Sequence, residues 1–274
     1  MNRYKKTSTS SLFSETYRPE KISKQGDPLE RLNKVINWDY FRETIDKMYS
    51  QKIVNAGPKP YDPLLMFKIL ILQRYYNLSD AQIEYQILDR LSFCRFLGLS
   101  LNDKVPDEKT IWDFRDKLIK KGIEKELFTN FNKLLESNDL IAQEGKIIDA
   151  SFVEAPKQRN SKDKNTQIKQ GKGSELWKED VHKKRQKDID ARWTKKNNQS
   201  YYGYKNHTKV DNKHKFIETY TTTDASVHDS QVLDALLTDK DKNQSLWADS
   251  AYRGGEQEKT IKKYQMVESP PKSI

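Results

Sequence analysis

Two aspartates stand out by their position. Asp149 follows Lys146-Ile147-Ile148 and Asp249 follows Leu246-Trp247-Ala248, so each lies at the end of a short apolar, strand-like run. A carboxylate there is costly to bury unless a cation, a hydrogen bond or water compensates it. Two of them on neighbouring strands would bring their oxygens together and repel. A divalent ion removes that repulsion, and hard oxygen donors select Mg²⁺ or Mn²⁺. The plainer reading is that each aspartate caps the loop after its strand. Spacing alone leaves both readings open.

Other residues can support such chemistry. Arg253, four residues past Asp249, can neutralise a phosphate or pair with Asp249 or Glu256. His207 and His228 have no partner at ligand spacing and read as structural. Tyr201, Tyr202 and Tyr204 with Lys205 form a basic-aromatic cluster of the kind that stacks on unpaired bases, or they mark a strand entry with one buried tyrosine. Pro106–Leu118 reads as a loop running into a helix with Ile111, Phe114 and Leu118 inward. Trp112 and Arg115 then fall on a different face, with Lys117 and Lys120 nearby. That face suits DNA in a helix-turn-helix, and equally suits solvent on an ordinary amphipathic helix. Cys94, alone among apolar neighbours, reads as a buried structural thiol.

The elements around these residues fall into two kinds. From Leu29 to about Leu140 apolar residues recur at helical spacing, as in Leu29, Leu32, Val35 and Ile36. Asp62-Pro63, Ser79-Asp80 and Pro106-Asp107 are helix-start signals. Residues 1–28 are polar, with Pro19, Gly26 and Pro28, and read as a flexible arm. The pattern then changes. Lys146–Val153, Tyr204–Val210, Phe216–Thr222 and Ser245–Asp249 read as strands, and Asp229–Leu237 and Glu256–Tyr264 as helices. The order β, β, β, α, β, α is that of a mixed sheet with crossover helices. The expected organisation is thus α+β: an arm (1–28), an all-helical domain (29–140) and a mixed domain (141–274). Within the last, 157–200 is a basic insertion with fourteen Lys/Arg against six Asp/Glu, expected to project from the sheet rather than interrupt it.

Composition sets the outer bounds. The 274 residues carry 50 Lys/Arg and 40 Asp/Glu, a net charge of +10, which favours a polyanionic partner such as nucleic acid. One cysteine excludes an internal disulfide framework. The most apolar stretch, Leu64–Leu72, is short and broken by Lys68, so no membrane partner is expected and a cytoplasmic location is.

The local words add a specific likeness. KIIDASFVEA (146–155), YGYKNHTKV (202–210), TDASVHD (223–229) and ADSAYRG (248–254) occur in order, preceded by YDPLLMFKILIL (61–72) and VPDEKTIWDFR (105–115). From about residue 30 to 265 the chain resembles the bacterial insertion-sequence DDE transposases of the IS-five family. The resemblance implies a ribonuclease-H-like catalytic domain after a helical DNA-binding domain. Asp149 and Asp249 then match the first two catalytic acids, holding two Mg²⁺ (or Mn²⁺) ions for in-line displacement at phosphorus. Trp112, Arg115, Lys117, Lys205 and Arg253 are the expected DNA-binding residues. The implied partners are double-stranded DNA, as terminal inverted repeats and target, and further copies of the chain on that DNA.

The family's third acid is a glutamate in a Tyr-x2-Arg-x3-Glu-x6-Lys helix. After Asp249 only Glu256, Glu258 and Glu268 occur, none in that context, and Tyr264 is followed by no arginine. The resemblance therefore implies a copy cut short or read out of frame before its last catalytic helix. Three expectations follow: a transposase inactive as this chain, a non-catalytic DNA-binding regulator, or a decayed remnant.

Overall fold

The computed structural model describes residues 14–49, 59–142, 144–196, 198–249, 252 and 255–268. It divides into two compact units, Met1–Lys133 and Leu134–Ile274. The division falls inside a helix rather than at the expected residue 140, because that helix continues to Ser137.

All described elements of the first unit are helical: α1 (Ser14–Lys24), α2 (Pro28–Val35), α3 (Arg42–Asp46), α4 (Pro63–Tyr75), α5 (Asp80–Asp89), α6 (Leu91–Leu97), α7 (Glu108–Lys120) and α8 (Ile123–Ser137). Their starts are written in the sequence. Asp27 and Asp62 accept from the N–H of the second residue, Leu29 and Leu64, of helices that open on proline, and Ser79 exchanges hydrogen bonds with Gln82 in a capping box. Gly98 ends α6 at φ 74°, a conformation that a side chain disfavours. Ile69, Leu72, Ile83, Ile87, Phe93 and Ile111 are wholly enclosed, and Cys94 lies buried with its thiol donating to the Ile87 carbonyl.

The expected arm at 1–28 needs correction over its described part. Residues Ser14–Lys24 are helical, and Arg95 of α6 donates to the Pro19 carbonyl, Ser23 Oγ and Glu30. Polar composition alone suggested a loose segment, but one guanidinium supplies donors that a polar helix can satisfy.

The second unit is built on a six-stranded sheet: β1 (Lys146–Glu154), β2 (Arg192–Lys196), β3 (Gln199–Asp211), β4 (Ile217–Asp224), β5 (Ser245–Ala248) and β6 (Val267–Glu268). Interspersed are α9 (Lys162–Lys169), α10 (Val181–Arg185), α11 (Leu233–Leu236) and α12 (Gly255–Lys263). The strands lie in the order β4–β3–β1–β5–β6, with β2 alongside the first residues of β3. Every pairing of β3 is antiparallel, whereas β1–β5 and β5–β6 are parallel. Ile148 and Leu246 share one core with Val232, Leu233, Leu236, Tyr252, Tyr264 and Met266.

The insertion at 157–200 also departs from expectation, since its last part belongs to the sheet. Arg192–Lys196 pairs with Gln199–Gly203, and Asn198 takes the positive φ of 63° that a tight hairpin uses. The preceding part folds around small clusters, with Ile168 and Ala191 buried and Lys164 and Lys187 each 5.6 Å from the Trp177 ring centroid.

Candidate active site

The site begins with strand register. In the parallel pair β1/β5, Ile148 lies opposite Ala248, so Asp149 and Asp249 are the next residues on adjacent strands. Neighbouring strands run about 4.8 Å apart, which brings the two carboxylates to one corner of the sheet. Both are exposed, and Asp149 Oδ1 accepts from the Ala150 N–H at 2.7 Å. The apolar runs before them explain the placement. Ile148 and Leu246 anchor the strands in the core. Asp249 follows the last residue of β5 as expected, but Asp149 is the fourth residue of β1, which stays paired to β3 as far as Glu154, so it is not the strand end that its apolar run suggested.

Tyr252 lies under this corner. Its backbone N–H donates to the Asp249 carbonyl at 3.0 Å, while the side chain is 2% exposed and its hydroxyl has no hydrogen-bond partner. Burial, and then the negative charges of Asp229, Asp149 and Asp249, push the phenol well above its ordinary value. The corner therefore carries an accumulated negative field from three carboxylates. Asp229 is partly offset: Lys205 Nζ donates to it at 2.8 Å and to the Val227 carbonyl at 2.7 Å. His207, next along that face of β3, is buried with Nε2 3.0 Å from Thr223 Oγ1, and burial lowers its proton affinity. His228 serves a helix start, its Nδ1 accepting from the Ser230 N–H.

The expected DNA-binding residues are divided between the two units. Trp112 on α7 is half exposed and Lys117 is exposed. Arg115 is engaged elsewhere, making two 2.7 Å hydrogen bonds to Asp80 and one of 3.1 Å to Gln73, so it ties α7 to α5 and α4. Lys205 is buried against Asp229 rather than presented to a ligand. Arg253 lies outside the described residues. Among the later glutamates, Glu258 is exposed on α12; the side chains of Glu256 and Glu268 lie outside the described set. Among the described residues no third His, Cys, Asp or Glu completes a metal-holding group with the two aspartates.

Two family models match the chain. Residues 17–117 match a transposase domain (DUF772), and residues 142–269 match a transposase DDE domain. The chain carries the domains of a DDE transposase. No solved structure matches it. Transposase DDE domains work with divalent metal ions, and the neighbouring carboxylates of Asp149 and Asp249 are hard oxygen donors of the kind such ions take. Both aspartates of the corner fall inside the matched DDE domain. The sequence placed Asp229 only as the first residue of a helix and gave Tyr252 no role. The signal was present in the words TDASVHD and ADSAYRG, where each follows a strand by a few residues.

Proposed function

We propose that this transposase binds DNA through both units, that Asp149 and Asp249 hold its divalent metal, and that the chain cuts DNA poorly. The observation that carries the reading is the Ile148–Ala248 register, which makes the two aspartates neighbours above a buried, unpartnered Tyr252 hydroxyl. Like charges side by side at a sheet corner are what a cation would balance. A ribonuclease-H-like core is supported by the order β4–β3–β1–β5–β6, in which β3 alone of these five strands is reversed.

When bound there, Mg²⁺ or Mn²⁺ activates the attacking oxygen and stabilises the leaving oxygen at phosphorus. The chain's own part is positional. Asp149 and Asp249 fix where charge is neutralised, the Lys205 ammonium orients Asp229, and Tyr252 fills the floor so that water cannot enter from the core side. In the helical unit, Trp112 and Lys117 are exposed on α7 where a duplex can meet them, and Arg115 positions that helix through Asp80. Catalysis is weak in this reading because two carboxylates constrain metal less well than three, and misplacement costs orders of magnitude in rate.

Incubation of the chain with labelled end DNA in Mn²⁺ tests this. DNA should be retained and strand cleavage should stay near background. Robust metal-dependent cleavage, abolished by Asp249→Ala, would keep the acid site and overturn the weak-catalysis part. Cleavage untouched by Asp249→Ala would overturn the site itself.

A further inference from the structure

Alternation along β3 puts Thr208, Asn206, Tyr204 and Tyr202 on one face, and Thr208 is the register partner of Asp149. Two hydrogen bonds agree with that face. The Tyr204 hydroxyl donates to Asp188 Oδ1 at 2.6 Å and the Tyr202 hydroxyl to the Asp188 carbonyl at 3.5 Å. Trp193 of β2 stands opposite Tyr202, with ring centroids 5.0 Å apart, and remains 50% exposed. Asp149 and Trp193 thus share a sheet face, separated by the six residues from Thr208 to Tyr202. At 3.4 Å per residue that is about 20 Å.

A cleft of about 690 Å³ opens beside this face, where the chain leaves β1 at Pro156–Arg159 and returns at Arg185–Asp190. Lys157, Arg159 and Arg185 line it, all exposed, and among the described residues none is in an ion pair. Lys157 Nζ sits 5.8 Å from the Trp193 ring centroid. Of the two acids in the lining, Asp188 is occupied by Tyr204 and by the N–H groups of Asp190 and Ala191. Arg159 and Arg185, which have no ion-pair partner among the described residues, and Lys157, whose ammonium stands over the indole, give what a nucleic-acid strand requires: charge for phosphates and a flat apolar surface for a base.

We propose that this cleft binds a single DNA strand, with phosphates on Lys157, Arg159 and Arg185 and one unpaired base stacked on Trp193. A duplex hides its base faces and offers only edges in its grooves, so the indole selects an unpaired nucleotide. The proposal rests on the transposase reading, because a strand held here would run along the face that carries Asp149.

The test is binding of the full chain to labelled oligothymidylate and to a duplex of equal length, without divalent metal, over a range of salt. Trp193→Leu should weaken oligothymidylate about tenfold and leave the duplex within about twofold, and Trp193→Phe should recover most of the loss. Replacing Arg159 and Arg185 together by Gln should flatten the single-strand salt slope by about 0.7 for each phosphate that is no longer neutralised. These exposed arginines guard against a tryptophan variant that fails to fold. Because binding is read without divalent metal, its outcome does not depend on whether the acid corner holds an ion, which keeps the cleft separable from the acid site. Equal losses on both DNAs with Trp193→Leu, or an unchanged salt slope in the arginine variant, would overturn the proposal.

Discussion

Two charged clusters occupy the same sheet, and they are resolved in opposite ways. Below β1 and β3, Lys146 and Lys209 are almost completely enclosed, and so is Asp241. Lys146 pairs with Glu218. Lys209 pairs with Asp241 at 2.6 Å and stands 3.8 Å from Glu218. Two ammonium groups thus meet two carboxylates, and Thr238 adds its N–H and hydroxyl to Asp241. At the Asp149–Asp249 corner the acids stand exposed above an unpartnered buried phenol, and Lys205, the buried cation of the neighbouring strand, is engaged by Asp229. The difference teaches which cluster serves the fold. Charges taken out of water and balanced internally hold strands in register, whereas exposed carboxylates are open to a cation from solvent.

The sharpest way to break that contrast is to unbalance the enclosed cluster. Asp241→Ala leaves Lys209 buried without its carboxylate and should cost about 3–5 kcal/mol in urea unfolding. Lys209→Met combined with Asp241→Leu should recover much of that, since an apolar pair of similar volume removes both charges. A loss below about 1 kcal/mol for the single variant would mean that Glu218 alone balances Lys209.

The same pair of clusters shows what the sequence made legible. Period-3.6 spacing and Asp-Pro or Ser-Asp starts located the helices of the first unit, because local capping and one-sided burial are written in adjacent residues. Strands β1 and β5 were legible because their buried residues are of the expected type, but the reach of β1 past Asp149 was not, since its later residues are mostly exposed. Strand β3 hides its inward face, which is polar. Lys205, His207, Lys209 and Asp211 are all buried there, and each has a hydrogen-bond partner distant in sequence or in the following turn, although His207 Nδ1 is left without one. Apolar alternation cannot announce such a strand face. For the same reason Lys205 and Arg115 read as surface cations: their carboxylate partners, Asp229 and Asp80, lie 24 and 35 residues away.

Removing one acid from the exposed corner should do the reverse of Asp241→Ala. Asp149→Asn or Asp249→Asn should change folding stability by no more than about 0.5 kcal/mol, because both residues are exposed. Either should weaken Mn²⁺ binding, read as the metal-induced rise in Tm, by about tenfold or more. A metal response that survives both substitutions would detach the corner from metal altogether.

The Arg115–Asp80 pair falls between the two clusters, partly buried and bidentate. The Arg115 guanidinium holds the Asp80 carboxyl below its ordinary range, against the opposing effect of burial. A carboxyl with a depressed folded-state value stabilises the fold above its unfolded value and loses that contribution as the pH falls through the folded one. Asp80→Asn should therefore cost about 1 kcal/mol at neutral pH, and the gap should narrow as the pH drops below about 4. A gap independent of pH would assign the effect to hydrogen bonding alone.

The smallest expected effect at neutral pH is at Tyr252, and it tests the floor of the acid corner. Its hydroxyl is buried without a partner, so Tyr252→Phe removes an uncompensated polar group and keeps the ring that packs among Ile148, Leu246 and Val232. Stability near pH 7 should stay within about 0.5 kcal/mol or rise slightly. The alkaline limb separates the two proteins. Burial and then Asp229, Asp149 and Asp249 raise the phenol's folded-state value, so the folded chain keeps a proton that the unfolded chain releases above about pH 10. The stability linked to that proton is fully present below the unfolded value and drains away as the pH rises. Tyr252→Phe takes one proton out of the balance and should flatten the alkaline decline by up to about 1.4 kcal/mol per pH unit. Adding Asp149→Asn and Asp249→Asn to the parent should flatten it by a smaller amount, since burial acts without them. An alkaline slope unchanged in Tyr252→Phe would mean that the phenol ionises freely in the fold, and that the corner above it carries no net negative field.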